Sequence, residues 1–201
     1  MLTQEYDVEI TFIEPLLGTV PKDKSIYAAY IGSRAPVQED GEEEIETVPT
    51  SEERGWTGFH QSGNGDPLLY DYAMKGFFKD ACSALRRVVR SKSANLKAFK
   101  KVIDGQLFVE PRAILLHLPS GERMGIIQRP LRAQTAQGER VSLVRSDACP
   151  VGTHLTFRLQ ILGDLPSEDL LREWLDYGRL RGLGQWRNGS WGRFIYSMRR
   201  L

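Results

Sequence analysis

The sequence predicts an α+β fold whose core runs strand, helix, strand, strand, helix, strand. Three observations carry this reading: period-two alternation over Tyr6 to Glu14 and again over Thr153 to Leu162, and an apolar stripe at helical spacing between Tyr70 and Arg90. A chain of 201 residues, 41% of them apolar, holds enough nonpolar side chain to close a core around these elements.

In the first strand Tyr6, Val8, Ile10 and Phe12 fall on one face. From Leu17 to Pro67 turn residues and acids replace periodic apolar positions, so this stretch reads as a long insertion at about 18–68. Met74, Phe77, Phe78, Ala81, Leu85, Val88 and Val89 then recur at helical spacing. Lys75, Lys79, Arg86 and Arg90 gather on the other side of that helix, as a solvated face or as a phosphate track. After the basic segment Lys92 to Lys101, the strong β formers of Gln106 to Leu118 read as a strand interrupted by Pro111.

The stretch at 119–150 reads as an inserted hairpin with arms near Met124 to Ile127 and Arg140 to Val144. The alternation of Leu155, Phe157, Leu159 and Ile161 then marks the next core strand. Pro166-Ser167 opens a helix with Leu170, Leu171, Trp174 and Leu175 on one face and with Gly178 and Gly182 at its end. Arg193 to Met198 is a final strand. The order is the split βαβ arrangement of a ferredoxin-like (RRM-like) core, here one domain over 1–201 with two insertions.

The net charge of +1 conceals an asymmetry, because eight acids and no Lys or Arg lie between Glu39 and Glu53. The rest of the chain is strongly basic, as in a nucleic-acid binder with an acidic loop or a protein with one solvated acidic loop. The acidic run lacks apolar anchors, so it is expected to be mobile and dispensable for binding. No apolar stretch is long enough to cross a bilayer and Met1 to Glu5 has no leader character, so a cytoplasmic protein without a membrane partner is expected. Cys82 and Cys149 stand apart from other cysteines and from histidines, which predicts reduced structural thiols, no metal site and no cofactor.

Chemistry concentrates in Gly182 to Phe194, where glycines permit close backbone approach and positive φ. Gly184, Arg187, Asn188 and Arg193 are candidates for phosphate contact there, and Trp186 and Trp191 for base stacking. The alternative is a tight loop whose tryptophans plug the core. A second candidate is the basic stretch Arg129 to Arg140, where Arg129, Arg132, Gln134 and Arg140 carry groups that reach phosphates and base edges. His60, in a polar loop with Asp66 and Asp71 nearby in sequence, is the one candidate for a catalytic histidine; no acid and base spacing supports it.

Four segments, in order, resemble the RAMP superfamily, the RRM-like proteins that include RNA-binding backbone subunits of CRISPR interference complexes. Val8 to Gly18 resembles the opening strand and its turn, and Met74-Lys75-Gly76 with Lys79 is similar to a basic helix start. Pro150-Val151-Gly152-Thr153 resembles the entry to the third core strand, and Ser167 to Phe194 the last helix and glycine-rich loop. The chain also resembles a group of phage and prophage proteins. The resemblance implies RNA binding by Lys75, Lys79 and the glycine-rich loop, a thumb-like role for 119–150, and head-to-tail association with itself or with related subunits. The expected function is non-catalytic binding of single-stranded RNA or DNA. Two other functions stay open: a phage counter-defence protein that binds a small nucleotide signal or a host complex, and a metal-independent endoribonuclease.

Overall fold

The computed structural model describes residues 3–22, 55–135 and 138–201, and between 131 and 142 the course of the backbone alone. The acidic run at 39–53 lies outside the described residues. In chain order the elements are β1 (Thr3–Phe12), β2 (Leu16–Leu17), β3 (Val20–Pro21), β4 (Trp56–Gly58), β5 (His60–Gln61), β6 (Pro67–Tyr70), α1 (Asp71–Leu85), α2 (Phe99–Gln106), β7 (Leu107–Glu110), β8 (Ala113–Leu115), β9 (Gly125–Thr135), β10 (Gly138–Cys149), β11 (His154–Leu162), α3 (Glu168–Arg181) and β12 (Phe194–Arg200). The fold is mixed α+β.

The main sheet has the order β12-β1-β11-β7, and its neighbouring strands pair antiparallel. Alternation decides which face is covered. Tyr6, Val8, Ile10 and Phe12 of β1 and Leu155, Phe157, Leu159 and Ile161 of β11 are buried, with Ile10 opposite Leu155 and Tyr6 opposite Leu159. Met74, Phe77, Phe78, Ala81 and Cys82 of α1 join the same core, as do Leu170, Leu171, Trp174 and Leu175 of α3. Ser167 caps α3 by accepting from Leu170 N, and Glu168 and Asp169 lie in its first turn, where the helix dipole favours anions.

Four expectations are corrected. The helix from Tyr70 stops at Leu85, short of Arg90, and Val88 and Val89 lie exposed beyond its end rather than in the core. A valine pair propagates a helix poorly, and the Ser91 hydroxyl takes the carbonyl of Leu85 that a further turn would have used. The single strand expected over Gln106 to Leu118 is instead two. β7 joins the main sheet and β8 pairs with β6 in a third sheet, β5-β6-β8, with a cis Glu110–Pro111 bond and Arg112 between them. The basic segment contains a helix, α2, that buries Phe99 and Ile103. Gly178 does not end α3 but lies inside it, where a Cβ would collide with the Phe194 ring; Gly182, at φ +81°, ends the helix.

The hairpin is longer than the expected arms, with β9 and β10 paired from Gly138 opposite Thr135 to Ala148 opposite Gly125. Pro130 is tolerated because, among the described residues, β9 pairs with β10 alone. β10 continues past the hairpin into a second sheet, where Ala148 pairs with Leu17 of β2 and Arg145 runs parallel to Trp56 of β4. β2 and β4 are therefore tied to the root of the hairpin. Both cysteines are free and buried; burial pushes the Cys149 thiol up to about 12 and that of Cys82 upward as well.

Candidate nucleic-acid interface

The glycine-rich loop between α3 and β12 closes on its own chain. A Cβ on Gly182 would meet the Trp191 carbonyl, one on Gly184 would lie 2.7 Å from the Leu17 carbonyl, and one on Gly192 would run into the Leu183 carbonyl. These glycines have φ of +81°, +82° and +68°, which only glycine adopts without strain. Gly184 is thus occupied in backbone packing. Gln185 N donates to the Leu17 carbonyl at 3.3 Å, and Gly192 N to the Pro15 carbonyl at 3.0 Å.

Trp186, itself left-handed at φ 58°, is 6% exposed and packs with Leu17, Val144 and Ala148. Trp191 lies half-buried against the same group. The loop thereby seals the root of the β9–β10 hairpin.

Both loop arginines are engaged by carboxylates. Arg187 pairs with Asp80 of α1 at 3.0 Å, and Arg181 reaches the same oxygen at 3.2 Å while also donating to Asn188. One carboxylate facing two guanidiniums leaves a net positive charge at this spot. Arg193 pairs with Glu14 at 2.7 Å. These partners lie far away in sequence, so no local pattern announced them.

The hairpin root mixes cations with aromatic rings. The Arg129 guanidinium lies 3.5 Å from the centroid of the Trp186 ring, and that of Arg145 lies 6.0 Å from Trp56. Lys22 stands 4.2 Å from the Trp56 ring and pairs with Asp147 at 2.7 Å; Trp56 Nε1 donates to the same carboxylate at 2.9 Å. Beneath, Thr57 donates to Gln185 Oε1 at 2.7 Å and Ser146 to the Gly18 carbonyl at 2.9 Å, which fixes loop, hairpin and β4 in one register. Arg132, Gln134 and Arg140 fall in the outer hairpin, and their side chains lie outside the described residues.

The remaining candidates sit elsewhere. Lys79 pairs with Asp104 at 2.6 Å, and Lys75 donates to the Asp104 carbonyl while lying 5.1 Å from the Phe108 ring, so α2 borders this face of α1. His60 shares a hydrogen bond with the Tyr72 hydroxyl at 3.0 Å and packs at a tilt on Tyr70, ring centroids 4.7 Å apart, beside a small concavity of about 360 Å³. His117 and His154 form a bridge with their rings 5.2 Å apart, a pairing that their separation in sequence hid. Among the described residues no group of three or more His, Cys, Asp or Glu could hold a metal ion.

The uncovered face of the main sheet forms a shallow concavity of about 890 Å³ lined by Asp7, Glu9, Glu110, Arg112, Arg158 and Arg199 among others. Its charges are mixed. The hydrogen bond from Arg158 holds the Asp7 carboxyl below its ordinary range, with Arg199 adding to the effect. This face is a weaker candidate for a polyanion than the hairpin root.

No protein-family model matches the chain, and no curated protein matches it. Among solved structures it is similar, with a TM-score of 0.57 at 11% identity, to a chain in the cryo-EM structure of the Type III-B Cmr-beta bound to cognate target RNA. The match covers 99% of this chain and 61% of that one, so the present chain spans less than two thirds of its neighbour. This likeness is one of fold. Among the described residues no helix is long and apolar enough to cross a membrane.

Proposed function

We propose that the protein is a RAMP-like subunit that binds single-stranded RNA without cleaving it. One observation carries this reading: the fold is similar over almost the whole chain to a chain of an RNA-bound assembly. The strand order β12-β1-β11-β7 is in keeping with it, being the fourth, first, third and second strands of a ferredoxin-like core, with β9 and β10 inserted as a thumb-like arm in a single domain. The RNA contacts the hairpin root, where the Arg129 and Arg145 guanidiniums suit phosphates and the partly exposed Trp56 ring suits a stacked base, while the buried Trp186 ring backs Arg129. The glycine-rich loop supports this surface from behind, since its glycines contact backbone and its arginines face carboxylates. Association of copies, or with related subunits, along one strand is part of the same reading.

The test is fluorescence anisotropy with labelled single-stranded RNA and DNA against the full chain and an Arg129→Ala/Arg145→Ala variant. Tighter binding of RNA, weakened at least tenfold in a variant that still folds, is expected; this corresponds to about 1.4 kcal/mol. Equal binding by a folded variant places the strand elsewhere, and RNA cut by the wild type but not by His60→Ala would establish the ribonuclease in its place.

A further inference from the structure

Between Asp80 and Asp104 the chain carries seven Lys or Arg and no acid. The segment joining α1 to α2 displays them on an ordered support. Leu96, Phe99 and Ile103 are buried beneath it, and Glu173 of α3 accepts from the backbone N–H groups of Lys92 at 2.6 Å and Ser93 at 3.0 Å. Ser91 donates to the Leu85 carbonyl at 2.7 Å and caps the next turn by accepting from Ala94 N at 3.1 Å. Trp174 Nε1 holds the Ser93 hydroxyl from below at 2.9 Å.

Two of the seven cations are engaged: Lys92 pairs with Asp169 at 2.7 Å, and Arg86 lies over the Phe99 ring. Arg87, Arg90, Lys97, Lys100 and Lys101 are exposed and make no ion pair among the described residues. The contrast with Arg187 and Arg193, each held by a carboxylate, is direct. Like charges carried by one short, ordered segment repel one another, and a ligand with regularly repeated negative charge relieves that repulsion without having to order the protein first.

We propose that this segment, residues 86–101, is a second polynucleotide-binding surface that holds the phosphate backbone without reading sequence. It rests on the reading above only in taking the ligand to be nucleic acid, and it uses none of the hairpin residues. Five unpaired cations suit a chain of phosphates. The apolar component is limited to Val88 and Val89, 52% and 86% exposed, which can lie against sugars or base faces. Two valines without an exposed aromatic residue in the segment are too little apolar surface to seat in a bilayer, so a lipid surface is the less favoured polyanion.

The experiment compares the full chain with an Arg87→Gln/Arg90→Gln/Lys97→Gln/Lys100→Gln variant, with folding checked by thermal melting. Binding of labelled poly(U) and poly(C) RNA is followed as salt rises. Loss of four single-strand phosphate contacts lowers the slope of log affinity against log salt by about 3, so that from about 50 to about 200 mM salt the wild type loses about fifty-fold more affinity than the variant. The same change is expected for both polymers. An unchanged slope overturns the proposal, as does a variant whose only loss is binding to phosphatidylserine vesicles. Arg129→Ala/Arg145→Ala separates the two surfaces: if that variant binds normally while the four-site variant loses slope, the hairpin assignment falls and this one stands. A wild-type chain that binds no RNA at low salt overturns both.

Discussion

Asp80 is the carboxylate on which two arginines converge, and its neutralisation separates folding from binding. In Asp80→Asn the Arg187 and Arg181 guanidiniums, at 3.0 and 3.2 Å, lose their counterion while remaining close to each other. Each charge-assisted hydrogen bond contributes roughly 1.5–3 kcal/mol when well buried. The three side chains retain between 20% and 31% of their exposure, so solvent screening reduces the combined loss to about 1–2 kcal/mol. For a chain of this length that corresponds to a fall in Tm of about 2–8 °C. Binding changes in the opposite direction, because two guanidiniums become available to phosphates and the salt slope on single-stranded RNA steepens by about 1.4, or about sevenfold between about 50 and 200 mM salt. Differential scanning fluorimetry and anisotropy titrations read the two effects on the same sample. A lower Tm with an unchanged slope would show that these arginines hold the loop and never meet the ligand. An unchanged Tm would refute the energetic value given to the shared carboxylate.

Trp186→Ala removes a buried ring from the hairpin root and is expected to cost about 3–5 kcal/mol in urea denaturation, whereas truncating the exposed Val89 changes stability by less than about 0.5 kcal/mol. Gly192→Ala, at φ +68° and against the Leu183 carbonyl, is expected to give a soluble yield well below wild type, since the backbone conformation alone costs about 1 kcal/mol or more. The Cys149 thiol stays protonated in the folded chain to about 12 but in the unfolded chain only to about 9. Its contribution is complete below pH 9 and is lost as pH rises towards 12, at about 1.4 kcal/mol per pH unit. Alkaline denaturation curves should therefore fall less steeply for Cys149→Ala than for the wild type above pH 9.

Strands β1 and β11 and helix α3 were legible because burial on one face writes a clean period into the sequence, as Leu155, Phe157, Leu159 and Ile161 illustrate. The overshoot beyond Leu85 has the opposite cause: Val88 and Val89 continue the apolar rhythm by position, yet face solvent. α2 leaves little signal in the sequence because only Phe99 and Ile103 of its eight residues are buried, and its lysines read as a polar connector. The full reach of β9 and β10 was hidden by their polar composition. In the candidate interface, the sequence marked the glycines, tryptophans and arginines of the loop but not what they face. Asp80 lies 107 residues before Arg187 and Glu14 lies 179 before Arg193, separations at which no local spacing rule operates. The five exposed cations of residues 86–101 were visible as charge, whereas their lack of counterions among the described residues is a property of the folded chain alone.

The position of β1 inside the main sheet sets an order of events during folding. Thr3 pairs opposite Leu162, and the other edge of β1 is covered by β12. β1 therefore has no partner in the main sheet until His154–Leu162 has been made, and its second edge stays bare until Phe194 to Arg200 arrive. Contacts so distant along the chain make assembly slow, and an apolar strand with an open edge is a template for pairing with another chain. Translation that stops before β12, or a protease cut in the preceding loop, would leave a product inclined to aggregate rather than a smaller folded protein.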